Sequence, residues 1–177
     1  MGSFLRWLMI PLAAYVERFL LLYANTQAMT SAFKRDILKG FHNLGGTDNP
    51  ARSVNTSDAY KLALYLATAS RGAGDTVYNT TGELAGTGNY TQGGNAVTLG
   101  TPPALDGTTA HVTPSASVTW TNLTSSGAFD AALLYNDSHA TKYAVSVHTF
   151  ASQSITAADF TLTMPTNNGT TGLIRIA

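Results

Sequence analysis

The chain of 177 residues is long enough for one domain, and its 44% apolar residues are enough for a hydrophobic core, which excludes a wholly disordered protein. Ten basic and ten acidic side chains cancel, so no net charge draws the chain toward nucleic acid or an anionic membrane, and we expect neither as a partner. The absence of cysteine excludes a disulfide framework, a thiolate nucleophile and a cysteine-based zinc site.

Residues 1–28 are predicted to form an N-terminal helical arm. Apolar residues recur at helical spacing within residues 5–24, which is typical of an amphipathic helix. An exposed apolar stripe requires a partner, which we expect to be the chain's own domain, another copy or a different protein. The stripe is therefore the candidate partner-binding site, and it contains Leu5, Leu8, Met9, Leu12, Val16, Phe19, Leu20 and Tyr23.

Two other interpretations of this arm fit its sequence less well. The apolar run from Leu8 to Val16 ends at Glu17 and Arg18, so it is too short to span a membrane, which takes about 20 residues. A secretory signal is the closer alternative, because Arg6 precedes the short apolar run. However, no clear small-x-small cleavage site follows it.

Residues 29–58 are predicted to form a helix and a loop that lead into the main domain. The helix is expected within residues 31–44, with Ser31 as its N-cap and Gly45-Gly46 at its end. Residues 47–57 contain small polar residues and an Asn-Pro pair, which indicate a loop. The predicted apolar face of the helix consists of Phe33, Ile37, Leu38, Phe41 and Leu44.

Residues 59–177 are predicted to form an antiparallel β-sandwich of jelly-roll type. The first strand is expected to be half-buried, because two sets of residues alternate along it. One set is Tyr60, Leu62, Leu64 and Leu66, and the other is Lys61, Ala63, Tyr65 and Ala67. Similar runs occur around residues 96–99, 117–122, 128–135, 143–150, 160–164 and 173–176. No helical pattern separates them, which favours antiparallel over parallel pairing. The segment Asn136-Asp137-Ser138 predicts a hairpin turn.

Alternation within these strands also predicts which side chains face the core. The expected inward residues are Val118 and Trp120, then Tyr143, Val145 and Val147, and finally Phe160, Leu162 and Met164. Threonine fills the opposite face, since it is β-branched yet polar. We expect solvent or a neighbouring molecule to contact Thr119, Thr121, Thr161 and Thr163.

Catalytic motifs are absent from the sequence, so we predict no enzymatic activity, no cofactor and no metal. There is no G-x-S-x-G elbow, and the glycine-rich segment Gly86–Gly94 lacks the spacing of a Rossmann or P-loop motif, which leaves a long turn as its interpretation. His148 is expected on an exposed or interface strand face with Ala144 and Ser146. It has no second histidine at metal-binding spacing.

The acidic residues are predicted to stabilise turns rather than to form a catalytic pair. Asp and Glu beside Gly, Asn and Ser commonly cap or shape a turn. A glycosidase-like pair of carboxylates is the alternative, because side chains distant in sequence can meet in the fold. The residues in question are Asp58, Asp75, Glu83, Asp130 and Asp137.

A succession of short motifs resembles a family of small virion structural proteins of tailed bacteriophages. The resemblance extends from Met29 to the C-terminus and depends on the order of the motifs, since none is diagnostic alone. Residues 1–28 precede the usual start of the resemblance, so they are either an upstream start or an added docking helix. The motifs are Ser31-Ala-Phe-Lys-Arg-Asp-Ile-Leu-Lys-Gly40, Tyr60-Lys-Leu-Ala-Leu-Tyr65, Thr81-Gly-Glu-Leu-Ala-Gly-Thr-Gly-Asn-Tyr90, Gly93-Gly94, Trp120, Ala132-Leu-Leu-Tyr-Asn-Asp-Ser138, Ala144, Phe150, Phe160-Thr-Leu-Thr-Met-Pro165 and Ile174-Arg-Ile-Ala177.

This resemblance implies a non-enzymatic protein of the virion, assembled in the cytoplasm of a bacterial host. Within that class we expect a capsid decoration (cement) protein, a homo-oligomer that binds the major capsid protein and other virion proteins. A tail or fibre component that attaches to host glycans is the alternative. A secreted lectin or carbohydrate-active enzyme is a further alternative from a different class.

Overall fold

The computed structural model describes residues 25–38, 41–44, 58–99 and 102–177. Within these ranges the protein is mainly β, and every strand pairing is antiparallel, which confirms the predicted fold class. The strands are β1 (Ala28–Met29), β2 (Tyr60–Leu66), β3 (Asn95–Val97), β4 (Ala104–Asp106), β5 (Thr109–Val112), β6 (Val118–Leu123), β7 (Phe129–Asn136), β8 (Ala144–Gln153), β9 (Ala158–Leu162) and β10 (Ile174–Ile176), and the helix is α1 (Ser31–Leu38).

Three sheets make up the described fold. The largest has the strand order β1-β8-β7-β2-β3, and the two smaller sheets have the orders β10-β5-β4 and β6-β9. Strands β7 and β8 pair across the segment that contains Asn136, Asp137 and Ser138, so the predicted hairpin is confirmed. The order β8-β7-β2-β3 brings together strands that are distant in sequence.

The main core lies between the large sheet and the two smaller ones. Leu62 and Leu134 of the large sheet share one buried cluster with Val112 of β5 and with Val118 and Trp120 of β6. Trp120 is 2% exposed, as predicted. The smaller sheets therefore cover one face of the large sheet in a sandwich-like arrangement.

The other face of the large sheet is also buried, which corrects the prediction of a half-buried first strand. Ala63 and Tyr65 of β2 form a second cluster with Leu133 and Tyr135 of β7. The long connection between β2 and β3 covers this face, since Tyr78 packs against the cluster and Glu83 forms a bridge with Tyr65. Sequence alternation predicted only one apolar face because alanine and tyrosine fit either environment.

A β-bulge in β8 corrects one assignment of strand faces. Ser146 lies opposite Leu134, but Ala144 lies opposite Tyr135, so the register shifts at Val145. Val145 consequently joins the main core, whereas Val147 joins the second cluster. Simple alternation along the strand predicts instead that both face the same side.

The predicted faces of β9 and of the threonines agree with the structure, whereas Tyr143, which was expected to face the core, joins neither core cluster. Phe160, Leu162 and Met164 pack partly buried against the main core, while the threonines on the opposite face are exposed. Tyr143 precedes β8 and is half-buried. The exposed threonines are Thr119, Thr121, Thr161 and Thr163.

Helix α1 is shorter than predicted, and its N-cap is Thr30 rather than Ser31. The Thr30 hydroxyl accepts a hydrogen bond from the backbone N–H of Phe33 over 3.1 Å, and it donates one to the carbonyl oxygen of Ala144 over 2.9 Å. Residues 41–44 are not helical. Phe33 is fully buried in the main core, with Ile37 packed against that core, so this part of the predicted apolar face is confirmed.

Candidate interaction surface

The candidate partner-binding residues predicted from the sequence, Leu5, Leu8, Leu12, Val16, Phe19, Leu20 and Tyr23, lie outside the described residues. The described chain begins at Asn25, which forms hydrogen bonds with residues of the main domain. Its side-chain amide donates hydrogen bonds to the carbonyl oxygen of Leu66 and to the carboxylate of Asp130, and its side-chain oxygen accepts one from the backbone N–H of Arg71. Residues 25–28 thus contact the main domain, although the predicted arm extended to residue 28.

Glu83 is a buried carboxylate with three hydrogen-bond donors. It is 4% exposed and accepts hydrogen bonds from the hydroxyls of Tyr78 and Tyr90, each over 2.7 Å, and from the backbone N–H of Gly93 over 2.6 Å. Its bonds to Tyr90 and Gly93 hold the glycine-rich segment against the large sheet. Sequence reasoning predicted a turn-stabilising role for Glu83, but the structure places it at the centre of a buried network.

The tyrosines around Glu83 serve as permanent donors. Burial, together with the nearby Glu83 carboxylate, raises the pKa of Tyr90 well above its usual value. Burial and the hydrogen bond to Glu83 raise the pKa of Tyr78 in the same way. Both hydroxyls therefore stay protonated at neutral pH, and the network stabilises the fold.

The other acidic residues also have structural partners. Asp75 pairs with Arg71 at 2.9 Å, and Asp58 accepts a hydrogen bond from the side-chain amide of Asn136 over 2.8 Å. Asp137 contacts both Lys142 and Lys61, and the hydrogen bonds from Lys142 and then Lys61 lower its pKa. These contacts agree with the predicted structural role of the acidic residues.

No group of three or more potential metal-ligating side chains converges among residues 25–38, 41–44, 58–99 and 102–177. His148 is half-buried, and burial lowers its pKa to about 4, so its imidazole is neutral at physiological pH. Its Nε2 atom lies 2.8 Å from the Ser146 hydroxyl. His148 does share a face with Ser146, but that face is not exposed as predicted, because Ser146 is 3% exposed and both residues lie opposite main-core residues of β7. The bulge at Val145 places Ala144 on the opposite face.

The β4–β5 hairpin is an exposed feature that sequence reasoning missed. All three residues of β4 are exposed, and Leu105 is 75% exposed. Among the strands that the structure describes, β4 pairs only with β5, so no described strand covers its other edge. The signal in the sequence was Gly107, because a two-residue hairpin turn of type II′ has glycine at its first position, and Gly107 there adopts a positive φ of 60°.

An apolar groove lies beside the opposite edge of the same sheet. Met29, Ile37 and Ile176 supply its apolar surface, with Lys34, Arg175 and Ala177 as the other lining residues, and its volume is about 480 Å³. Ile176 is 45% exposed. The groove therefore joins strand β1 and helix α1 to the C-terminal strand β10.

Comparison with known proteins gives no match to a protein-family model, a curated protein or a solved structure. The resemblance to bacteriophage virion proteins therefore stays a prediction. Within the described part of the chain, no helix has the length and apolar character needed to cross a membrane.

Proposed function

We propose that this protein is a non-enzymatic structural component of a tailed-bacteriophage virion. The observation that carries the proposal is the exposed edge strand β4 with Leu105 at its centre. An open antiparallel edge with an exposed apolar side chain is suited to pairing with another subunit. The buried polar groups, such as Glu83, bond to other parts of the domain and so support a stable scaffold.

Within that class we propose a capsid decoration (cement) protein that binds the major capsid protein and is assembled on the particle in the bacterial cytoplasm. The exposed threonines of β6 and β9 support contact with a capsid subunit through packing and hydrogen bonds. Within the chain, the hydroxyls of Thr119 and Thr161 already form a hydrogen bond of 2.8 Å between these two strands. Many modest contacts combine into strong retention when a protein is present in many copies. Because only 11% of the residues are charged, few charges can be screened, and such contacts depend only weakly on salt.

The test removes the protein from purified particles and compares their melting temperature and DNA release with those of intact particles over a range of salt. We expect stripped particles to melt and release DNA at lower temperature, and added protein to restore them. The Leu105→Asp variant should fail to restore them. The control Thr156→Asp, which changes an exposed loop residue elsewhere, should restore them fully.

Two outcomes would redirect the proposal. Particles that keep their thermal resistance but lose adsorption to host cells would move the protein to the tail or fibre class. Turnover of a glycan by the purified chain would contradict the non-enzymatic role.

A further inference from the structure

The groove formed by Met29, Ile37 and Ile176 is lined by residues of β1, α1 and β10. Its floor is apolar, and two cationic residues, Lys34 and Arg175, also line it. Lys34 forms no ion pair within the described ranges. An amphipathic helix with a neighbouring acidic residue matches such a groove, because apolar anchors spaced by three or four residues fill it while the acid meets the cations.

The segment before Asn25 has this chemistry. Its apolar residues recur at helical spacing, so its match to the groove is chiefly apolar. Its charged side chains are Arg6, Glu17 and Arg18, of which only Glu17 can pair with Lys34 or Arg175 of the groove. In a helix, Glu17 lies beside Leu20, one turn later along the edge of the apolar stripe. The stripe from Leu5 to Tyr23 would be about 28 Å long at 1.5 Å per residue, which is long enough to reach a neighbouring molecule.

The direction of the chain favours a groove on another copy. Asn25 is bonded near Leu66, Arg71 and Asp130, whereas Met29, four residues later, lines the groove. At about 3.3 Å per extended residue, Asn25 lies about 13 Å before the groove along the chain. For the stripe to reach the groove of its own copy, the chain would have to reverse direction, which takes a loop of about 2–8 residues between helices. Only Ala24 separates the stripe from Asn25, so this connection is too short for such a loop.

We infer that the groove binds the apolar stripe of residues 5–23 from a second copy of this chain. The inference deepens the proposed function by naming the partner that the arm binds, and it rests on that function only for its biological setting. Leu12 and Val16, four residues apart on the stripe, are the central anchors. Ile176 of the receiving copy is 45% exposed and supplies an accessible apolar side chain of the groove.

The test exploits the absence of cysteine from the 177 residues. Two single-cysteine variants of different tag length, Leu12→Cys and Ile176→Cys, are mixed and oxidised. We expect a covalent product that contains one chain of each kind. In the control mixture, Leu105→Cys replaces Ile176→Cys, because Leu105 is an exposed apolar residue outside the groove. We expect no covalent product with one chain of each kind in this control.

Light scattering gives a second measurement on unmodified and substituted chains. The full chain should have a mass above the 18.6 kDa of one copy. Deletion of residues 1–24 or the change Ile176→Asp should make it monomeric, while Thr156→Asp, at an exposed loop residue, should leave the assembly intact. Circular dichroism confirms that each variant is folded.

Several results would overturn the inference. Cross-linking within a single chain that carries both cysteines, without linking in the mixture, would place the arm on its own groove. Loss of assembly in Leu105→Asp but not in Ile176→Asp would assign the contact to β4. A monomeric chain that still stabilises particles would refute binding of residues 5–23 to a second copy but would leave the proposed function intact. An oligomeric chain that fails to bind particles would refute the proposed function alone.

Discussion

The hydroxyl of Tyr90 donates a hydrogen bond to Oε1 of Glu83 over 2.7 Å, at a site where both side chains are at least 96% buried. The same hydroxyl accepts a hydrogen bond from the backbone N–H of Leu64 in β2 over 2.9 Å. The pair therefore connects the glycine-rich segment to a central strand of the large sheet. A buried carboxylate in such a network is costly to replace, because each donor loses its acceptor.

We predict that Glu83→Gln destabilises the protein by about 2–3 kcal/mol, since an amide cannot accept hydrogen bonds on both atoms and three donors face this site. Urea unfolding at pH 7 measures the change. Tyr78→Phe is the milder comparison, with an expected cost of about 1 kcal/mol, because Glu83 keeps its bonds to Tyr90 and Gly93. Equal stability of Glu83→Gln and the natural protein would contradict the network's role.

Gly94→Ala should be among the most damaging single substitutions. Gly94 has a φ of 70°, and an added Cβ would lie 1.8 Å from the carbonyl oxygen of Leu62. We expect a loss of about 4 kcal/mol or more, because the backbone of β2 would have to move. Thermal unfolding measures the effect. Gly74→Ala is the matched control, since nothing lies within 4 Å of its added Cβ, and a comparable loss there would refute the steric explanation.

Thr30 and Ser31 provide a direct test of which residue caps α1. Thr30→Val keeps the side-chain volume but removes the hydroxyl that bonds to Phe33 and Ala144, so we expect a cost of about 1–2 kcal/mol. Ser31→Ala changes an exposed residue and should alter the free energy of unfolding by no more than about 0.5 kcal/mol. Denaturant titration of the two variants decides the matter. The reverse order of effects would restore Ser31 as the cap.

His148 should make stability depend on pH in mildly acidic solution. Burial lowers its pKa to about 4, whereas an unfolded histidine titrates near 6.5. Between these values the unfolded chain binds a proton that the folded chain does not. This contribution to stability is therefore complete above about pH 6.5 and is lost as the pH falls toward 4.

Urea midpoints at several pH values between 7.5 and 4.5 test this expectation, and His148→Gln should flatten the dependence. This pH window lies above the pH range in which Asp137, whose pKa is lowered, makes stability depend on pH. The same slope in the variant and the natural protein would show that another group is responsible.

Local sequence patterns were sufficient for the fold class and for several exposed surfaces. Alternating residues placed β6 and β9 correctly, with Trp120 inside and Thr119 and Thr161 outside, because side-chain direction in a strand has a period of two. The hairpin between β7 and β8 followed from Asn136-Asp137-Ser138, where short polar side chains bond to nearby backbone groups. Such signals depend only on neighbouring residues.

Only the tertiary structure decided how the large sheet is covered and what Glu83 does. The bulge at Val145 reverses the alternation within β8, and the connection over Tyr65 buries a second face that alternation alone leaves exposed. Glu83 acquires its buried role from Tyr90 and Gly93, whose positions depend on how that connection folds back on β2. The sequence by itself determined most of the strand segments, though not β4 and β5, and the polar faces of β6 and β9, because those properties are local. Pairing order, register and burial arise from contacts between segments distant in the chain, which no local pattern records.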